Sequence, residues 1–189
     1  MKLIKVGLLS IITATALFAG NYTVDSSHSS VSFKIKHLMI SNVKGSFESF
    51  EGKFEYDEKS KTLKSLEGKV DANSINTANA KRDAHLKNED FFDVKKYPDI
   101  TFKLSKIQGD QATGTLTMHG VSKEVTFELE NNGMVKDPWG NTRVGLALSG
   151  KINRTDFGLK YNKLLEAGGL TIGEKVKIEV EIEGILDKK

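Results

Sequence analysis

The stretch Lys175-Val-Lys-Ile-Glu-Val-Glu-Ile-Glu183 decides the fold of this 189-residue chain. Every second residue of the stretch is apolar, and lysines and glutamates fill the positions between. Residues 30–36 repeat the alternation, with Val31, Phe33 and Ile35 on the apolar phase. An alternation of period two is typical of a β-strand that has one face in a core and the other in water. The two stretches therefore predict antiparallel strands.

Similar runs recur along most of the chain, separated by short polar or glycine-containing turns. Asp137-Pro-Trp-Gly140 has proline second and glycine fourth, which is the signature of a type I turn. Residues 40–45 contain Ser41, Asn42 and Gly45 and predict another turn. Short strands at this spacing are typical of an up-and-down antiparallel barrel or of a sandwich, and the excess of tight turns over long crossings favours the barrel. We expect a single all-β domain of about eight strands.

One segment breaks the alternation and predicts a short helix. Residues 79–90 contain no β-branched residue, and Asn79 or Thr77 is a suitable N-cap. The Tyr97-Pro98 pair that follows marks the next boundary, because proline disfavours helical backbone at the residue before it. We expect this helix to cap the mouth of the barrel.

Residues 1–19 have the layout of a secretory signal peptide, with two lysines before an apolar run over 6–18. Ala19 offers a small residue for cleavage, and residues 14–16 form a competing small-x-small site. An uncleaved amphipathic anchor is the alternative. We expect cleavage near Ala19, a barrel domain over residues 20–189, and a periplasmic or secreted protein.

The composition argues against a nucleic-acid partner. The chain has 28 basic and 25 acidic residues, and removal of Lys2 and Lys5 with the leader leaves 26 against 25. Phosphate binding requires a concentrated basic face, whereas interspersed charges are typical of a solvated sheet surface. The chain has no cysteine, so an exported domain must be stabilised by its core alone, which this length allows.

The apolar positions of the strands, which we call the dry phase, predict an interior that is either packed or hollow. Gly68, Gly114, Gly150 and Gly184 share the phase of the apolar residues. Such glycines commonly mark bends and corners of a barrel, and they also remove side-chain volume from its interior. A barrel of about eight strands can fill itself or hold one small ligand. A cavity on this uncharged phase would be dry and would select for hydrocarbon, which makes a ligand carrier the first hypothesis.

Signals for catalysis are weak. The four histidines have no metal-ligand spacing, no cysteine or G-x-S-x-G elbow supplies a nucleophile, and Ser41-Asn-Val-Lys44 lacks the companion motifs of serine–lysine enzymes. His37 ends a strand on the dry phase and is a candidate contact for a ligand head group, or a rim histidine with an ordinary partner. Arg82 and His85 have the same two interpretations, as head-group contacts or as docking residues of the helix. An enzyme in which His85 and Asp83 act together on a lipid is a further alternative.

Seven segments, spread over nearly all of the chain after the leader, carry a resemblance to one known family. They are His28-Ser-Ser-Val-Ser-Phe-Lys-Ile-Lys-His-Leu38, Val43-Lys-Gly-Ser-Phe47, Arg82-Asp-Ala-His-Leu86, Asp90-Phe-Phe-Asp93, Tyr97-Pro-Asp-Ile-Thr-Phe102, Gly114-Thr-Leu-Thr-Met-His-Gly-Val-Ser-Lys-Glu-Val125 and Arg154-Thr-Asp-Phe-Gly158. With these motifs the chain resembles the YceI-like family of exported lipid-binding proteins.

The resemblance implies a lipocalin-like barrel with an elongated pocket for a long-chain polyisoprenoid quinone or a long fatty amide. It also implies a periplasmic or extracellular location, dimers in several members, and no catalytic motif. We therefore expect a carrier of an isoprenoid or fatty-acyl lipid, for transport or storage, that is not an enzyme and needs no cofactor or metal. Transient membrane contact and a homodimer are left open. The alternative is a secreted stress or host-interaction protein with a filled barrel and no lipid.

Strand phase and motif matches together select the candidate ligand-binding residues. Phase selects the strand residues Val31, Phe33, Ile35, His37, Phe54, Val70, Phe102, Leu104, Gly114, Leu116, Met118, Phe127, Leu146 and Leu148. The matching motifs add the residues of the helical lid and the segment after it, which are Arg82, His85, Leu86 and Phe92.

Overall fold

A computed structural model describes residues 19–164 and 170–188, so the leader predicted over residues 1–19 lies outside the described residues except for Ala19. The strands in these ranges are β1 Ala19–Val24, β2 Ser30–His37, β3 Ser41–Phe47, β4 Phe50–Asp57, β5 Thr62–Asp71, β6 Ile75–Asn76, β7 Asp99–Gln108, β8 Gln111–Met118, β9 Val121–Lys136, β10 Thr142–Asn153 and β11 Ile172–Leu186. One α-helix, α1, spans Ala80–Lys87, and short 3₁₀ helices span Ala72–Ser74 and Arg154–Phe157.

Eight of these strands form a closed antiparallel barrel, as the sequence predicts. They follow one another in the order β1-β4-β5-β7-β8-β9-β10-β11, and β11 pairs back onto β1. β11 is long enough to pair with two strands along the same edge. Its residues Gly184–Leu186 pair with β1, and residues 172–181 pair with β2. β3 and β6 extend the sheet from β2. On this side, the wall is therefore formed by β1 beside the C-terminal end of β11, and by β2 and β3 beside the rest of β11.

The apolar phase of each strand faces the interior. In β11, Val176, Ile178 and Val180 pack partly buried against the core, and Ile182 is buried within it. Register places Val180 beside Leu148 of β10, and Ile182 beside Leu146. The lysines and glutamates between them lie on the outer face, as the period-two pattern requires.

Helix α1 lies across one end of the barrel, which we call the mouth. The Asn79 side chain caps the helix by accepting from the Arg82 N–H at 3.0 Å. The helix ends at Lys87 and not at residue 90, because Asn88 adopts extended backbone. Phe92, just after it, packs edge-on against Phe47 of β3 with ring centroids 5.9 Å apart. Within the described ranges, no helix has the length and apolar character needed to cross a bilayer.

The turn predicted over residues 40–45 is wrong in position. Ser41 already belongs to β3, and the reversal is made by residues 38–40, where Leu38 and Met39 have left-handed φ angles of 51° and 61°. Gly45 is a strand residue of β3, and the absence of a Cβ there makes room for the Phe33 ring of the neighbouring strand. The turn predicted at residues 137–140 is confirmed by the Gly140 N–H, which donates to the Asp137 carbonyl at 3.0 Å.

The end of the barrel opposite α1 is solid. Tyr22 and Phe54 stack there with ring centroids 5.1 Å apart, and Tyr56 packs edge-on against Tyr22. The Tyr22 hydroxyl donates to Glu58 at 3.1 Å, and burial together with this carboxylate raises the pKa of Tyr22. These rings fill the interior at this end, where the sequence alone could not distinguish a packed core from a hollow.

Three of the four glycines on the dry phase make room for phenylalanine rings. A Cβ at Gly184 would overlap Phe54, a Cβ at Gly114 would lie 2.5 Å from Phe102, and one at Gly150 would lie 2.6 Å from Phe127. Gly68 differs, because the nearest atom that a Cβ would meet is the Glu51 carbonyl oxygen at 3.9 Å. Only Gly68 of the four faces open space.

A polar cluster around Arg143 links neighbouring strands at the solid end of the barrel. Arg143 of β10 donates to Asp137 at 2.7 Å and to Asp25 at 2.9 Å, and it also bonds Glu183 of β11. Hydrogen bonds from Ser27, His28 and Arg143 hold the pKa of Asp25 below its ordinary value. At Asp137, desolvation raises the pKa of the carboxyl group. Hydrogen bonds from Arg143 and Asn141 outweigh this, so the pKa of Asp137 is also below its ordinary value.

Replacement of Gly184 by alanine tests the close packing of glycine against phenylalanine. We expect Gly184→Ala to lower the free energy of unfolding by about 2 kcal/mol, since the added methyl group overpacks the core against Phe54. The matched control Gly68→Ala has space for its methyl group and should leave stability unchanged or raise it by up to about 1 kcal/mol. Urea unfolding followed by circular dichroism measures both, and equal losses would contradict this packing.

Acid should weaken the cluster around Arg143. Because the pKa values of Asp25 and Asp137 are lower in the folded protein, the stabilisation is complete above the unfolded-state pKa of about 3.9 and is lost as pH falls below it. We expect the free energy of unfolding to decline below about pH 4, and Asp137→Asn to make that decline shallower. Urea titrations across this range check it. The exposed Asp110→Asn is the control, and an equal change of slope would contradict the assignment.

Candidate functional site: an apolar cavity below the helix

A cavity of about 500 Å³ lies inside the barrel on the α1 side of the aromatic core. Its wall is mostly apolar and includes residues of the barrel strands and of β2 and β3. Besides the predicted residues, the apolar lining includes Val24, Val43, Phe47, Phe50, Leu66, Ile75, Phe91, Ile100, Ile152, Leu159, Ile172, Val176, Ile178, Val180 and Ile182. A volume in this range is typical of small-molecule sites in proteins.

Most of the predicted residues line this cavity. They are Val31, Phe33, Ile35, His37, Val70, Arg82, His85, Leu86, Phe92, Phe102, Leu116, Met118, Phe127 and Leu148. Several further lining residues, such as Phe47, Phe50 and Ile100, are in-phase aromatic or aliphatic side chains that the same pattern could have selected. Their role in binding a ligand stays a prediction.

Four predicted residues do not line the cavity, and they are Phe54, Leu104, Gly114 and Leu146. Phe54 and Leu146 are buried in the solid end of the barrel. Gly114 lies beneath Phe102, which takes the space that the missing side chain leaves. Leu104 is the cross-strand neighbour of Gly114 and packs partly buried against the core. Strand phase identifies inward-facing residues but does not show at which height along the axis the interior is filled.

The two α1 residues predicted as head-group contacts are held by protein partners. The Arg82 guanidinium donates through Nε to the Thr77 hydroxyl at 2.7 Å and through Nη2 to the Thr77 carbonyl at 2.8 Å. His85 Nε2 lies 2.9 Å from the Asp90 carboxylate, and its ring packs edge-on against Tyr161. Both side chains dock the lid while they line the cavity.

His37 differs from these two residues. It lines the cavity at the end of β2, and no described residue forms a hydrogen bond with its ring. Its backbone carbonyl accepts from the Ser41 hydroxyl across the turn. Of the three predicted head-group contacts, His37 is the one whose ring nitrogens have no partner among the described residues.

Asp83 and His85 do not form a catalytic pair. The Asp83 carboxylate accepts from the N–H and the hydroxyl of Thr77, whereas His85 pairs with Asp90. The alternative of an enzyme based on these two residues therefore lacks the hydrogen bond that would join base and carboxylate.

Arg154 is a lining residue that the sequence did not single out. It is only 3% exposed and donates to the carbonyls of Gly173, Leu159 and Ile172. No described carboxylate pairs with it, and burial lowers its pKa, although Glu174 opposes that shift. Arg154 therefore ties the 3₁₀ helix after β10 to the start of β11 and places a buried positive charge at the cavity wall. In the sequence it was visible only as the first residue of the Arg154-Thr-Asp-Phe-Gly158 motif.

A group of possible metal ligands lies away from the cavity. Ligand atoms of Asp25, His28 and Glu183 are within 4.8 Å of one another, a clustering that the wide spacing of the histidines in the sequence did not predict. The Arg143 guanidinium already bonds both carboxylates of this group. The arrangement is a salt-bridge cluster that stabilises the wall.

Replacement of Arg154 tests its structural role. Arg154→Met leaves three carbonyl oxygens without their donor and should lower the free energy of unfolding by about 2 kcal/mol. Arg154→Lys keeps the charge but cannot reach all three acceptors, so we expect a similar loss. Chemical unfolding measures the stability of both variants. A lysine variant as stable as the wild type would show that the positive charge stabilises the fold and that the several hydrogen bonds of the guanidinium group do not.

Comparison with known proteins agrees with this architecture. The YceI-like domain model matches residues 22–184. A UPF0312 protein of Staphylococcus aureus strain N315 is 40% identical over 164 residues, which cover 86% of this chain and 96% of the relative. The crystal structure of the Campylobacter jejuni YceI protein is similar with a TM-score of 0.67 and 36% identity, over 82% of this chain and 91% of that one.

A more distant structure shares the fold. It is a polyisoprenoid binding domain from Saccharophagus degradans, with a TM-score of 0.66 and 17% identity over 88% of this chain and 98% of that one. Since the family model and the Staphylococcus relative both match most of the sequence, the chain belongs to the YceI-like family.

Proposed function

We propose that the protein binds a long-chain apolar lipid, either an isoprenoid or a fatty-acyl chain or amide, in the barrel cavity. The observation that carries the proposal is the cavity of about 500 Å³ with its mostly apolar wall. The atoms that line an apolar space of this size lack van der Waals contacts, and a hydrocarbon chain would supply them. The polyisoprenoid binding domain of Saccharophagus degradans, which has the same fold, supports the choice of ligand class.

The free energy of binding would come from the tail. Each methylene removed from water contributes about 0.8 kcal/mol, so about ten methylenes supply about 8 kcal/mol, which corresponds to micromolar affinity before other costs. The lining is mostly apolar, although it also includes the charged residues Lys36, Glu51, Lys69, Lys81, Arg82, Arg154 and Glu181. The site therefore selects for chain length and flexibility more than for a particular atom pattern.

The head group would lie at the mouth, where the lining becomes polar. His37 has ring nitrogens without a described partner, and Arg82 keeps donors beyond the two that Thr77 receives. Arg154 adds a buried positive charge to the same end through its bonds to the start of β11. A head group that accepts hydrogen bonds, such as a carbonyl or amide oxygen, suits these donors.

The role we propose is a carrier outside the cytoplasm. The predicted leader supports export, and the separate hydrogen bonds of Asp83 and His85 give no support to the alternative of an enzyme based on this pair. Transport and storage both follow from reversible burial of the tail. The alternative of a barrel filled along its whole length has less support, since the aromatic core occupies only one end. Formation of a homodimer stays a prediction.

Gly68→Trp should abolish lipid binding in a folded protein. Gly68 lines the cavity and has open space before it, so an indole there occupies the volume that a tail needs. Gly114 does not serve this purpose, because a bulky residue there would strike Phe102 in the wall. Native mass spectrometry and organic extraction of protein purified from its own cells measure the bound lipid.

The matched control is Glu67→Trp, the exposed neighbour on the same strand. It loses one exposed ion pair with Lys103, which costs at most about 1 kcal/mol, and should keep its lipid. Equal lipid content in Gly68→Trp and the wild type, with circular dichroism showing both folded, would refute binding in this cavity.

A further inference from the structure

We propose that the mouth rim, which comprises residues 36–44, 160–164 and 170–175, docks on the surface of a membrane that contains anionic lipid. The inference rests on the proposed function and deepens it, because it names the place where a lipid would enter and leave. Two independent features of the rim support membrane docking: its exposed apolar side chains and its local excess of lysines.

The apolar tips of the rim project into water. Ile40 is 83% exposed, Leu164 82% and Met39 55%, although each is a large hydrophobic side chain. Exposed apolar residues scattered singly are ordinary, but these three belong to adjoining segments. The Leu38 N–H donates to the Thr171 carbonyl at 2.8 Å, and the Thr171 N–H donates to the Lys163 carbonyl at 3.0 Å. The turn after β2 and the segment before β11 therefore form one edge.

This edge borders the cavity. Lys36, His37, Thr171 and Ile172 belong to the rim and also line the cavity. Ile172 is the register partner of His37, so the two sides of the rim are joined by the β2–β11 pairing. A tail that leaves the cavity here would reach a bilayer without crossing water if the rim were seated in the interface.

The rim is basic, whereas the chain after the leader is nearly neutral. It carries Lys36, Lys44, Lys160, Lys163 and Lys175 against Glu174, so five positive charges less one negative give a net charge of +4 among its described residues. None of these lysines forms an ion pair with a described carboxylate. Lysines flanking exposed apolar side chains are the pattern of an interfacial membrane-binding surface, attracted to anionic lipid.

The opposite end supplies a control surface. Trp139 is 80% exposed in the turn between β9 and β10, which lies at the solid end with Arg143 and Asp137. It is the single tryptophan of the chain and therefore also a fluorescent reporter of that end. If the mouth rim is the docking surface, Trp139 stays in water when the protein binds.

The test is flotation of the protein with vesicles of phosphatidylcholine and phosphatidylglycerol in equal parts, compared with vesicles of phosphatidylcholine alone. Full-length wild type and variants are used together, so that any contribution of residues 1–18 is common to all. We expect Ile40→Ser to lower the partition coefficient about tenfold, and Trp139→Ser to leave it unchanged. We expect Lys160→Glu with Lys163→Glu to lower it by more than tenfold on anionic vesicles, since each lysine near such a surface contributes about fivefold. Lys136→Glu, at the other end, is the charge control.

Several results would overturn the inference. They are no binding of wild type to anionic vesicles, equal binding of Ile40→Ser and wild type, and a blue shift of Trp139 emission on binding. Lipid extraction from the same preparations separates the two proposals. Rim variants that lose vesicle binding but keep bound lipid support both. Wild type that binds vesicles through the rim but never contains lipid supports docking and refutes the carrier function.

Discussion

Phenylalanine rings packed over glycines control where this barrel is solid and where it is hollow. Phe54 lies on Gly184, Phe102 on Gly114 and Phe127 on Gly150, so each missing side chain admits a ring from a neighbouring strand. At the end far from α1, Phe54 joins Tyr22 and Tyr56 and leaves no room between them. Because protein interiors pack at nearly crystalline density, space that these rings do not reach remains as a cavity.

The lid closes that cavity with polar ties on its outer side and apolar contacts within. Arg82 forms a hydrogen bond with Thr77, and His85 forms one with Asp90. These bonds stabilise a helix that is too short to be stable through helix propensity alone. Phe92 meets Phe47 from the same segment and extends the apolar lining to the mouth. Arg154 holds the far side of the mouth through backbone carbonyls, so its buried charge is satisfied without an ion pair to a described carboxylate. The mouth is thus the place where apolar lining and hydrogen-bond donors meet.

Charge is distributed unevenly along the barrel axis. Arg143 pairs with Asp25, Asp137 and Glu183 at the solid end, while lysines that form no ion pair with any described carboxylate lie at the mouth rim with Ile40 and Leu164. Whole-chain counts of 28 basic and 25 acidic residues conceal this separation, because opposite excesses cancel in the sum. A near-neutral protein can therefore present a basic, partly apolar edge, a combination suited to a membrane surface and not to a nucleic acid.

The sequence by itself determined most strands and their inward faces, because side-chain alternation in a β-strand is a local property of the backbone. Its tight turns and its family resemblance favoured a closed antiparallel barrel over a sandwich. It also located the helix and most of the cavity wall. It placed one turn wrongly, since Ser41, Asn42 and Gly45 have turn composition but Gly45 serves to admit Phe33. Only the tertiary structure decided that Phe54 and Leu146 belong to a solid end, that Gly68 alone of four glycines faces open space, and that Arg154 lines the mouth. These properties depend on which side chains from distant strands meet at one height of the barrel, and strand phase carries no information about height.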